Sequence, residues 1–186
     1  MASTIESGSG KDIIVVDEAD LGKIDVVELP NAEVTEIAIN SAIKGLELGL
    51  SGEKDVAIAG ARLKDAKISN EAPKGETVNV TLAVTKAAKL EFVTTGKGAT
   101  ELSVPEGKLL NSSITTAKGK AEDSISFGAA SIVKGAFISL GKGSDTLTFS
   151  GRMKGKTTVE SGKGRDLIEV NSKDRGKGKL VLSDFN

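Results

Sequence analysis

The sequence predicts an all-β fold, a parallel β-solenoid of about eight rungs with a mean period of 22 residues. Three observations predict it. Alternating pairs of apolar residues recur at a near-constant interval along the chain. The core formers are Val, Ile, Leu and Ala, with only five aromatic residues, all Phe, which suits thin layers of β structure. The 22 Gly, against 3 Pro, provide many turns with unusual backbone angles and no proline-rich linker.

The first row of pairs is Ile14/Val16, Ile37/Ile39, Val56/Ile58, Val78/Val80, Leu102/Val104, Ile125/Phe127, Leu147/Phe149 and Ile168/Val170. Val16 and Val170 lie 154 positions apart, seven steps with a mean of 22. A second row lies between them, at Ile24/Val26, Leu46/Leu48, Ala66/Ile68, Leu90/Phe92, Ile114/Thr116, Ile138/Leu140, Thr157/Val159 and Leu180/Leu182. A weaker third row gives one apolar residue per period, at Leu21, Ile43, Leu63, Val84, Leu110, Val133 and Met153, and the eighth period has only Lys173, Asp174 and Arg175 there.

A period of two turns each pair inward and its neighbours outward, as with Thr146 and Thr148 about Leu147, and this marks strands. One such unit buries little alone, whereas stacked copies bury a continuous column. Two strong rows and one weak row imply a rung with two main strands and a short third side, and eight rungs make a rod about 40 Å long. Phe127 and Phe149 occupy equivalent places in consecutive rungs and are expected to stack. The competing architecture is a β-sandwich of hairpins. Against it, both rows keep phase along the chain, and the turns lack the Asn-Gly or Asp-Gly pairs of tight hairpins. One solenoid domain is expected over 12–186, preceded by a polar Gly/Ser-rich arm over 1–11 in which Met1 and Ile5 are the sizeable apolar residues.

The chain has no Cys, His, Trp or Tyr, which removes disulfides, thiol nucleophiles, imidazole chemistry and the usual zinc ligands. Lys and Arg total 25 against 26 acidic residues, so no net field attracts nucleic acid or an acidic membrane. No N-terminal apolar segment of the signal-peptide kind is present, and no apolar run approaches the roughly 20 residues of a membrane helix.

The turns before several first-row strands carry Gly-Lys: Gly96-Lys97-Gly98, Gly119-Lys120-Ala121, Gly141-Lys142-Gly143 and Gly162-Lys163-Gly164. Asp123, Asp145 and Asp166 follow at one offset, and Leu140 to Thr148 and Ser161 to Glu169 read x-G-x-G-x-D-x-U-x, with U apolar. Over residues 95–186 this pattern resembles, in part, the nonapeptide of hemolysin-type calcium-binding (RTX-like) β-solenoids. The resemblance implies calcium as a cofactor, held between rungs by turn carbonyls and by Asp145 and Asp166, with Asp123 as a third ligand. The apolar-Asp-Phe segment Leu180 to Asn186 resembles the one that follows such arrays.

The match is incomplete. Thr100 replaces the Asp in one turn, Ala121 a Gly in another, Leu140 and Ser161 stand for the first Gly, and the period is longer than the family's 18 residues. Without calcium, the Gly residues supply left-handed turn angles and each Asp caps its turn through nearby amides. Lys97, Lys120, Lys142 and Lys163 oppose a hard cation; they form either a solvated face or a ladder for an anionic partner such as a sulfated glycan or an acidic protein surface.

No enzyme is expected, because the sugar-cleaving β-helices need clustered Asp, Lys or Arg in a groove and this chain scatters its four Arg. The expected role is a non-catalytic structural or assembly protein, such as a coat, decoration or fibre component of a virion or other large particle. Its partners would be proteins, through self-association and docking on a larger assembly, without nucleic acid or membrane insertion. The alternative is a calcium-binding RTX-like secreted or cell-surface module. The corresponding locations are a virion or the extracellular or cell surface, reached without an N-terminal signal peptide.

Overall fold

The computed structural model describes residues 2–7, 11–16, 23–28, 34–50, 55–116, 119–171 and 178–184. Among them there is no helix, and every strand pairing is parallel. One sheet stacks β1 (Ala2–Ser7), β3 (Lys23–Glu28), β5 (Glu47–Leu50), β7 (Lys67–Ala72), β9 (Glu91–Gly96), β11 (Ser113–Thr115), β13 (Phe137–Ser139), β16 (Lys156–Glu160) and β18 (Lys179–Ser183). The other stacks β2 (Lys11–Val16), β4 (Val34–Lys44), β6 (Asp55–Lys64), β8 (Thr77–Ala88), β10 (Ala99–Leu110), β12 (Ser124–Lys134), β14 (Thr146–Phe149) and β17 (Leu167–Val170). β15 (Arg152–Lys154) pairs with the far end of β12. The chain alternates between the sheets, so each strand lies beside the one a full turn away: this is the expected parallel solenoid.

The inward rows follow from this register. Val56, Val80, Leu102, Ile125, Leu147 and Ile168 form one continuous file. In the facing sheet Leu48, Ile68, Phe92, Ile114, Ile138 and Val159 form another, and all six are buried. Phe127 and Phe149 stack as expected, with ring centroids 4.8 Å apart and planes 6° from parallel.

Phase is less regular than the mean period implies. Val78 faces Thr100, and Val80, not Val78, faces Leu102, so the expected pair Val78/Val80 stands two residues out of step. Likewise the neighbours of Leu90/Phe92 are Ser112/Ile114 rather than Ile114/Thr116. The step between stacked residues is 21 from Ile37 to Ile58 but 24 from Ile58 to Leu82. The slack is taken up at the corners, where the pairing shifts between Ile39 and Ala42 and between Val104 and Glu106.

After such a corner the longer strands run on to form the third side, where Ile43, Leu63, Ala87, Leu109, Val133 and Met153 stack in register and are buried. Ala87 and Leu109 replace the expected Val84 and Leu110. Val84 is buried one corner earlier, and Leu110, on the opposite side of the pleat, is only half-buried. A left-handed corner follows at Gly45, Asp65, Lys89, Asn111, Gly135 and Gly155, with φ between +48° and +75°. Among the described residues the solenoid has about six complete turns, against the eight expected. Leu21, residues 173–175 and Phe185 lie outside the described residues. Within the segment 1–11, Ala2–Ser7 forms β1, which pairs with β3.

Candidate functional site

The Gly-Lys turns occupy the corner that leads from the first sheet into the second. Their stacking is tight enough to exclude a side chain: a Cβ on Gly143, at φ +148°, would run into the carbonyl of Ala121 and reach Asp145 Oδ1 at 2.9 Å. Gly164 repeats this against the carbonyl of Gly143. Lys142 and Lys163 bridge as parallel neighbours, with the Gly143 amide donating to the Lys163 carbonyl at 2.9 Å and the Lys163 amide to the Gly141 carbonyl at 3.2 Å.

Behind these turns the structure brings the three Asp residues into one file that continues to Thr100. The Thr100 amide donates to Asp123 Oδ1 at 2.7 Å, the Asp123 amide to Asp145 Oδ1 at 2.8 Å, and the Asp145 amide to Asp166 Oδ1 at 3.0 Å. Each carboxylate caps the preceding rung, one turn away. Asp123 and Asp145 are 2% and 1% exposed, whereas Asp166 at the outer end is half-buried.

Burial disfavours ionisation here. It pushes the Asp145 carboxyl up to about 7; the Asp123 amide opposes the shift, while neighbouring Asp123, Asp166 and Glu122 add to it. Asp123 is also raised by burial, against hydrogen bonds involving Thr116 and Thr100. Asp145 Oδ2 is buried without a hydrogen-bond partner.

Calcium fits this arrangement poorly. One oxygen of each Asp accepts an amide from the adjoining rung, the Gly141 and Lys163 carbonyls do the same, and burial disfavours the ionised Asp145 that a hard cation needs. Among the described residues no group of three or more acidic side chains has the geometry to hold a metal ion.

The lysine row runs along the outside of the same corner. Lys97, Lys120, Lys142 and Lys163 are exposed, and Lys74 extends the row by one turn. A shallow groove of about 580 Å³ runs past Lys74, Lys97, Lys120 and Lys142. Glu76 and Glu122 stand along the row and offset its charge. The residues that sequence reasoning missed are polar ones lining the interior: Asn70, Thr94 and Ser112 are buried, and Asn70 and Thr94 are direct neighbours in one inward file. Their phase becomes readable only once the variable turn length is known.

Compared with known proteins, the chain has no significant match to a family model, a curated protein or a solved structure.

Proposed function

We propose that this chain is a non-catalytic structural or assembly protein, a coat, decoration or fibre component of a virion or other large particle, that associates through the end of its solenoid. What carries the reading is the contrast between inner and outer turns. Leu147 and Phe149 are 0% and 1% exposed, but their stacking partners Ile168 and Val170 are only partly buried, and Leu167 and Leu182 are 51% and 43% exposed. Among the described residues β17 and β18 stand at the outer edges of their sheets, and edge strands with apolar side chains are templates for another chain. The residue types that remain offer the side of the rod a rigid polar surface without thiol or imidazole chemistry.

Sedimentation analysis of the full chain tests this. Association that grows with concentration, and that is weakened in a Leu167→Lys, Leu182→Lys variant of unchanged Tm, is the expected outcome. A strictly monomeric wild type, with no assembly partner recovered from its source, overturns it.

The second reading, a calcium-binding RTX-like module, is favoured by a single observation, the unpartnered Asp145 Oδ2. Ligand binding raises stability by mass action, so millimolar calcium would have to raise Tm in wild type but not in Asp145→Ala or Asp166→Ala. With the carboxylates acting as turn caps, no shift is expected.

A further inference from the structure

The third side of the solenoid carries a concentration of charge that the overall balance conceals. Its outward residues form two files along the axis. One is Ala42, Arg62, Lys86, Lys108, Ile132 and Arg152; the other is Lys44, Lys64, Ala88, Leu110, Lys134 and Lys154. Eight of these twelve positions are basic, none is acidic, and all eight cations are exposed. The inward residues between the files are the buried third wall, so each cation projects from a rigid strand.

Like charges directly opposite one another across a sheet are destabilising. In the other sheet Glu47, Lys67 and Glu91, which stack directly, alternate in sign. On the third side, by contrast, Arg62, Lys86 and Lys108 follow one another directly, as do Lys44 and Lys64, and Lys134 and Lys154. Asp65, at the next corner, is within 3.6 Å of Lys89 rather than of these files. Among the described residues positive charge is thus concentrated along one side of the rod.

From this placement we infer that the third side binds a linear anionic polysaccharide, such as a sulfated glycan, laid along the solenoid axis. The stripe is two side chains wide, about 7 Å, and its six strands span about 25 Å, with a cation roughly every 5 Å. That shape follows a single extended polymer better than a flat membrane. Lys predominates, giving point charges without the bidentate forks that read base edges. The stripe has no aromatic side chain on which the bases of single-stranded nucleic acid would stack. This inference goes beyond the assembly role and stands independently of it, since the rod end and the stripe use different residues.

Heparin serves as the probe, with duplex DNA and phosphatidylserine vesicles as the competing arms. Wild type is expected to bind heparin with an affinity that falls steeply with salt. Arg62→Gln, Lys86→Gln, Lys108→Gln together should weaken binding about tenfold or more and lower the log-affinity against log-salt slope by about two. Lys97→Gln, Lys120→Gln, Lys142→Gln in the turn row should change affinity less than about twofold. The stripe variant should keep or raise its Tm, because it relieves repulsion. Independently of any variant, bound heparin should protect the Lys86 and Lys108 amines of wild type from acetylation while leaving Lys97 reactive. Unchanged binding by the stripe variant, no protection in wild type, or tighter binding of duplex DNA or vesicles than of heparin overturns the inference.

Discussion

Asp145 is a residue whose protonation is coupled to folding. Its carboxyl is raised from 3.8 to about 7 by burial and by Asp123, Asp166 and Glu122. The folded state therefore binds the proton more tightly than the unfolded state does. Its contribution to stability is full below about pH 3.8 and is lost as pH rises through about 7. Thermal melts of wild type and Asp145→Asn across this window check the sign. The variant keeps an acceptor for the Asp123 amide but cannot ionise, so its stability relative to wild type should rise with pH and level off above about 8. Phe149 tests packing at the same scale. It is 1% exposed and stacked on Phe127, so Phe149→Ala should lower stability by about 3 to 5 kcal/mol, measured by denaturant unfolding.

At the scale of the element, the corners set how each rung closes. The left-handed corner has Gly in three turns but Asp65, Lys89 and Asn111 in the others, and a side chain in that region is strained. Lys89 is at φ +54°, and its ion pair with Asp65 is largely exposed and worth little. Lys89→Gly should therefore raise stability by about 1 kcal/mol. In β16 the Thr157 hydroxyl is fully buried without a partner, in a file shared with Leu180. Thr157→Val keeps the shape and removes the unsatisfied oxygen, and about 1 kcal/mol of added stability is expected in equilibrium unfolding. An unaltered midpoint in either variant would show that its corner or file is not strained as described.

For the whole molecule, stability is distributed along one axis, because each turn touches only its neighbours. The inner turns have both faces covered, whereas Ile168, Val170 and Leu180 are only partly buried. Hydrogen exchange should accordingly be slowest in the amides of β8, β10 and β12 and faster in β17 and β18. Uniform protection would mean that the outer turn is held as firmly as the middle, contrary to its exposure. Charge is distributed unevenly too, but across the axis: a net charge of −1 coexists with a side of the rod on which eight of twelve outward positions are basic.

The sequence by itself determined the all-β class, the parallel stacking, the mean repeat and the Phe127/Phe149 stack, because alternation and recurrence at about 22 residues survive small changes in turn length. The common offset of Asp123, Asp145 and Asp166 was legible for the same reason. Tertiary structure alone decided which residues meet when turn length varies. Lys44 and Lys64 are 20 positions apart, Arg62 and Lys86 are 24, yet both pairs are direct neighbours. Corner bulges and left-handed residues set those numbers, and they displaced Val78, brought Ala87 and Leu109 into the third wall, and aligned cations that no fixed period connects.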